Sequence, residues 1–162
     1  MKLGATEHQL EVTTSDRQIV MTRTFDAPRE LVFDAFTKPE IVKRWLLGPD
    51  GWSLAVCDID LKIGGAFRYV WRSDADGHEF VVSGVYTEIT RPERVAHTEK
   101  FDDPEYPGES LETWVFDERD GVTTFTSTIL YDSMEACNKA VELGAVQGAE
   151  SCYDALAALL AQ

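Results

Sequence analysis

His97, Glu99 and Glu112 are the residues of this sequence whose type and spacing could do chemistry. Side chains of a strand alternate between its two faces, so His97 and Glu99 share a face, and Glu112 shares one with Trp114 and Phe116. The same alternation gathers Phe67, Tyr69 and Trp71 on one predicted strand, Phe80, Val82, Gly84 and Tyr86 on the next, and Phe125 on a later one. An imidazole and two carboxylates on an apolar face must be hydrogen-bonded or change their protonation state. Either the trio forms the polar end of an apolar pocket, orienting a ligand's hydroxyl, carbonyl or amine, or it lies at a solvated rim of the sheet, where charged residues usually sit. Aromatic side chains build plain cores as readily as ligand walls. A one-residue register slip would turn all of these side chains outward.

Other chemistries find little support. There is no Ser-His-Asp order, nucleophile elbow, P-loop or dinucleotide fingerprint. His97 and Glu99 could relay a proton on paper, but residues i and i+2 of a strand stand side by side rather than as an aligned dyad. His8 falls in a polar N-terminal stretch expected to fray, and His78 follows the Asp76-Gly77 turn. A set of three or four convergent metal ligands is not legible, so neither metal nor cofactor is expected. Cys57, Cys137 and Cys152 are far apart and form no C-x-x-C, which suits buried reduced thiols.

These residues must be positioned by strands, and the punctuation supports that. Arg17 to Phe25 predicts a first strand. Pro28 suits a helix start, with Leu31, Val32, Ala35 and Phe36 at helical spacing, and Pro39 opens a second short helix carrying Ile41, Val42, Trp45 and Leu46. Period-two patterns then predict strands near 53–60, 65–73, 78–90, 94–101, 110–117 and 122–131. Turn chemistry separates them at Gly64-Gly65, Asp76-Gly77, Pro92, Pro107-Gly108 and Asp120-Gly121, so an antiparallel meander of about seven strands is expected. One long helix closes the chain. Asp132 or Ser133 can cap it, Glu135 can complete a capping box with Asp132, and Met134, Val141, Ala145, Gly148, Cys152, Leu156 and Leu159 form its apolar stripe. That helix is the one element long enough to cover the sheet, giving an α+β fold in which a curved sheet grips a helix and leaves a pocket between them.

The chain has 162 residues and a net charge of −14 from 29 acidic and 15 basic side chains, which argues against nucleic acid and anionic membrane surfaces as partners. It has no apolar run of 18 residues and no basic-then-apolar start over Met1 to Glu11, so a cytoplasmic protein of one domain spanning 1–162, with an ordered core over 17–161, is expected.

Several stretches resemble a known family. Arg23-Thr24-Phe25-Asp26-Ala27-Pro28 with Leu31-Val32-Phe33 and Ala35-Phe36-Thr37 is similar to its opening, as are Arg44-Trp45, Gly48-Pro49 and Gly51-Trp52. Asp60 through Gly65, Asp76-Gly77, Gly84-Val85-Tyr86, Pro92-Glu93-Arg94, Thr98 through Asp102, Pro107-Gly108-Glu109, Tyr131 through Ala136 and Gly148 through Tyr153 follow in order. The chain thus resembles the START-like, SRPBCC superfamily of helix-grip proteins, and within it the bacterial homologues of the activator of the heat-shock-protein-90 ATPase. The resemblance implies a cavity for a small hydrophobic or aromatic ligand, or a cyclase- or hydrolase-type enzyme, or a stress-related, co-chaperone-like interaction module; whether the chain is an enzyme stays open. The ligand-facing set it implies is Trp45, Phe67, Tyr69, Trp71, Phe80, Val82, Tyr86, His97, Glu99, Glu112, Trp114, Phe125, Met134, Val141, Ala145 and Gly148. Leu46-Leu47, Cys137-Asn138 and Gly144-Ala145 depart from the family pattern, the last two pairs with smaller side chains that could enlarge the cavity. Trp45, Leu46, Leu47 and Trp52 suit a lid, a homodimer interface or core equally.

Overall fold

The structure, a computed structural model, describes residues 8–104 and 108–162. Strands β1 (Glu11–Ser15) and β2 (Gln18–Phe25) are followed by helices α1 (Arg29–Thr37) and α2 (Pro39–Val42). A meander comes next: β3 (Trp52–Ile59), β4 (Ala66–Ser73), β5 (Glu79–Thr90), β6 (Arg94–Phe101), β7 (Glu109–Arg119) and β8 (Val122–Leu130). Helices α3 (Met134–Glu142) and α4 (Ala145–Leu160) end the chain. All pairs are antiparallel, and the eight strands run in the order β1-β2-β8-β7-β6-β5-β4-β3. β2 closes the gap to β8 with its buried phase, Ile19, Met21, Arg23 and Phe25, turned toward the helices.

The expected sheet needs one correction. Glu11–Ser15 pairs with β2 and so makes an eighth strand, although every one of its residues is exposed. An edge strand with no buried face has no apolar alternation to announce it. His8, in the same stretch, is also held, with Nε2 2.9 Å from Asp26 Oδ1. Pro107 lies outside the described residues.

The closing helix needs another. It is two helices, broken at Gly144, whose φ of +90° lies in the left-handed region that favours glycine and ends α3. Ser133 caps α3 by accepting from the Ala136 N–H at 3.0 Å. Asp132 instead accepts from the Glu109 N–H of β7, so the expected capping box with Glu135 does not form. The break changes which residues face the sheet. Cys137 and Ala140 of α3 and Tyr153, Leu156 and Ala157 of α4 are buried, whereas Met134 and Val141 are 48% and 41% exposed. Gly148 also faces open solvent, with nothing within 4 Å of where a Cβ would stand, and Ala145 is half-buried. Met134, Val141 and Gly148 therefore do not line the space between sheet and helix: a stripe drawn through one continuous helix loses its phase at the break.

α1 completes the cover. Phe33 and Phe36 meet Phe116, and Phe36 stacks on Phe125 at 4.3 Å between ring centroids. Trp45 is core: its indole N–H donates to the Ala35 carbonyl at 2.8 Å, and its ring packs on Phe36. Leu46 and Trp52 are half-buried and Leu47 is exposed. Among the described residues no helix is long and apolar enough to cross a membrane.

Candidate functional site

The register of the sheet assembles the polar trio. Tyr86 of β5 pairs with His97 of β6, which pairs with Glu112 of β7, so the three stand in one row across the concave face. Two residues further along β7, Trp114 is opposite Ser127 of β8. Directly opposed residues of an antiparallel pair share a face with their Cβ atoms about 5 Å apart. A bulge in β5 after Tyr86 shifts the ladder by one residue at this point, and bulges of this kind re-aim side chains.

Each member of the row is held. Glu112 Oε2 accepts from the Trp114 indole N–H at 2.9 Å and from the Ser127 hydroxyl at 2.6 Å. Its other oxygen, Oε1, lies 3.7 Å from His97 Nε2. The His97 Nδ1 sits 3.0 Å from the Thr98 carbonyl oxygen, which can only accept, so Nδ1 carries the hydrogen and Nε2 of a neutral ring presents a lone pair. His97 is 2% exposed, and its Nε2 finds no hydrogen-bond donor among the described residues. Trp114 and Phe67 meet the imidazole at 4.8 and 4.9 Å between centroids, both near perpendicular.

Glu99 completes the cluster from the next inward position of β6. As a residue it is half-buried, but its carboxyl end lies where Glu112, Tyr69 and Tyr153 all sense its charge. Desolvation there, then the negative charge of Glu112 and a hydrogen bond with it, push the Glu99 carboxyl well above the usual carboxylate range. Beside Glu112, the protonated form of Glu99 is the favoured one. Burial likewise raises the phenols of Tyr69, Tyr86 and Tyr153, so they remain neutral donors. Chemically, the cluster offers two carboxyl groups and an imidazole nitrogen without a hydrogen-bond partner, inside aromatic walls.

The structure brings together most of the residues expected to face the ligand. Phe67, Tyr69, Val82, Tyr86, His97, Glu112, Trp114 and Phe125 are buried on the concave face, with Trp71, Phe80 and Glu99 half-buried beside them. The rim reading of His97 and Glu112 is therefore wrong, since both are enclosed. At the less enclosed end Phe80 packs on Trp71 and on Phe101, and the Trp71 indole N–H donates to the Leu46 carbonyl at 3.0 Å. Sequence reasoning missed Ser127, Tyr153 and Phe101. Phe101 continues the phase of His97 and Glu99, and Ser127 that of Phe125, so alternation alone could have found both. Tyr153 could not be placed with the helix break unrecognised.

His97, Glu99 and Glu112 also form a group of metal-type ligands that the sequence does not reveal, with one ligand atom from each lying within 4.8 Å of the others. Ligands of a small cation such as zinc stand about 2.0–2.2 Å from it, which puts tetrahedral donors about 3.4 Å apart. The His97 and Glu112 atoms come near that spacing at 3.7 Å, and the full set lies within 4.8 Å.

The family model for Activator of Hsp90 ATPase homolog 1-like protein matches residues 26–161, and the chain belongs to this family. Solved structures agree in fold. A protein from Rhodobacter sphaeroides is 25% identical, with 94% of this chain and 99% of that one covered and a TM-score of 0.88. Protein Ms6760 from Mycobacterium smegmatis is also 25% identical, covering 93% and 95% with a TM-score of 0.81. A protein from Staphylococcus epidermidis is 27% identical over 92% of each chain, with a TM-score of 0.78. No functionally curated protein matches the sequence.

Proposed function

We propose that this member of the family binds a small molecule with an apolar or aromatic body between the concave sheet and α4, with the molecule's polar end at His97, Glu99 and Glu112. The observation that carries the reading is the buried row itself. A concave face already rich in Phe, Tyr and Trp has no structural need for an imidazole and a carboxylate facing each other at 3.7 Å, and burying polar groups without full partners is costly. Aromatic walls with a few convergent polar groups are the usual make-up of a small-molecule site. The half-buried Trp71, Phe80 and Phe101 mark the side from which an apolar body would enter.

Native mass spectrometry of freshly purified protein, followed by the same measurement after denaturation, tests the proposal. A bound mass of a few hundred daltons that denaturation releases is the expected result. A chain that carries nothing, and whose tryptophan emission responds to no aromatic probe up to millimolar concentration, would refute it.

A further inference from the structure

The row that faces the proposed pocket also has the make-up of a metal site, whether or not the pocket holds an organic ligand. Nε2 of His97 carries a lone pair, is closed to water and finds no hydrogen-bond donor among the described residues. It lies 3.7 Å from Oε1 of Glu112. An ion about 2.1 Å from each atom, the usual length of a zinc bond to nitrogen or carboxylate oxygen, would see them about 120° apart. No water-sized space is needed for that, because a bare ion sits closer to its ligands than any hydrogen-bonded atom does.

The surroundings of both donors match. A metal-bound histidine usually donates its other ring N–H to a carbonyl or carboxylate, which fixes its tautomer and orientation. His97 does so with Nδ1, 3.0 Å from the Thr98 carbonyl oxygen. A metal-bound carboxylate is held by hydrogen bonds as well. Glu112 Oε2 accepts from Trp114 and Ser127 at 2.9 and 2.6 Å, which leaves Oε1 turned to His97. Glu99 gives the third donor, with one ligand atom of each residue within 4.8 Å of the others. Its carboxyl is hydrogen-bonded to Glu112. In taking the ion it draws in by about 1 Å, to the spacing that ligands of one ion require. The proton of that hydrogen bond leaves to solvent as the ion enters, and no electron is transferred. An imidazole with two carboxylates suits a divalent transition-metal ion rather than calcium or magnesium, which take oxygen ligands. The net charge of −14 draws cations toward the chain.

We infer that His97 Nε2, Glu112 Oε1 and a Glu99 carboxylate oxygen bind one divalent transition-metal ion of the zinc type, leaving a coordination position for water or for a ligand's oxygen.

Zinc, cobalt(II) and calcium salts are the probes, added to protein stripped by chelator and refolded from urea. Refolded wild type should retain one zinc ion per chain through gel filtration, measured by elemental analysis. It should release that ion to EDTA far more slowly when folded than in urea, because the site is enclosed. Cobalt should give the visible bands of a nitrogen–oxygen site without the near-ultraviolet charge-transfer band of a cysteine thiolate, and excess calcium should displace neither ion. His97→Phe and Glu112→Gln, each checked for folding by near-UV circular dichroism, should bind zinc at least about tenfold more weakly, and Ser127→Ala about tenfold more weakly. Should the first two fail to fold, the double variant His8→Gln with His78→Gln, in which His97 is the remaining histidine, must keep the full affinity and the cobalt spectrum. No retained zinc, a thiolate band, displacement by calcium, or undiminished affinity in His97→Phe each overturns the inference. A zinc-free chain that still carries an organic mass overturns the metal site and leaves the pocket standing; a chain with zinc and no organic mass does the reverse.

Discussion

Replacing Glu99 by glutamine should make the protein more stable as the pH rises, and the difference should vanish in mild acid. In the folded chain the Glu99 carboxyl ionises well above the usual range, because burial and the charge of Glu112 disfavour its anion. In the unfolded chain it ionises near about pH 4.3. Between those two values the native state holds a proton that the unfolded state has released. Stability from this group is therefore fully present below about pH 4.3 and is lost as the pH climbs toward the raised folded value. The loss amounts to at most a tenfold drop in the folding equilibrium constant per pH unit, on the order of 1 kcal/mol per unit. Glutamine keeps the hydrogen bond, since its amide can donate to Glu112 as the protonated acid does, but it has no proton to lose.

Urea unfolding of wild type and Glu99→Gln at pH 5, 6, 7 and 8 measures this directly. The quantity to follow is the difference in unfolding free energy between the two proteins, in which titrations that they share largely cancel. That difference should be smallest at pH 5 and grow in favour of the variant at each step until Glu99 ionises in the folded state, where it levels off. A difference that stays flat across the range would mean that Glu99 titrates alike folded and unfolded. The buried pair with Glu99 protonated would then not exist, whatever the positions of its atoms.

Other substitutions test the scaffold. Gly84→Ala should destabilise by about 3 kcal/mol in urea titrations, because a Cβ there would run into the Thr98 carbonyl oxygen and lie 2.5 Å from the Phe67 ring. Gly148→Ala should act in the opposite direction, raising stability by about 0.5–1 kcal/mol in the same assay, since it adds a better helix former at an exposed position of α4 with open space around it. Asp154→Ala should cost about 2 kcal/mol, because Asp154, itself 57% exposed, holds α4 to the buried Arg23 of β2 at 2.7 Å. The Cys57 thiol is pushed up to about 11 by burial, so it should resist a disulfide reagent at pH 8 in the native protein and react within minutes once urea is added.

What the sequence makes legible follows from which forces leave a local signature. The phase of β7 and β8 is readable because buried residues alternate with more exposed ones along most of each strand, and that contrast prints itself on the sequence. His97, Glu99 and Glu112 could be singled out as exceptions to it. Their meeting could not, because it depends on the pairing of Tyr86 with His97 and of His97 with Glu112, and the first of these is set beside a bulge that no residue type announces. Ser127 sits among threonines in β8 and becomes distinctive only once it is found opposite Trp114, donating to Glu112. β1 left no trace because it buries nothing. Gly144 was visible, but whether a glycine interrupts a helix or is tolerated within it depends on what the helix packs against on either side.

The convergence of these groups has an energetic logic of its own. Glu112 is tied on one oxygen by Trp114 and Ser127, and His97 is tied on one nitrogen by the Thr98 carbonyl. In both side chains the partnered atom fixes the orientation and the remaining atom points into the aromatic enclosure. On the proposed reading, that division holds a binding group still before a ligand arrives, which lowers the ordering cost of association. It also leaves a cost in the fold: His97 Nε2 has no hydrogen-bond partner among the described residues, and leaving a buried group so costs about 1–3 kcal/mol. Replacing Glu112 by glutamine would put an amide donor in front of His97 Nε2 and relieve that cost. The same substitution should therefore leave stability unchanged or higher in urea titrations while removing a carboxyl group from the proposed binding row. A variant that gained stability and lost ligand binding together would separate what this row does for the proposed ligand from what it does for the fold.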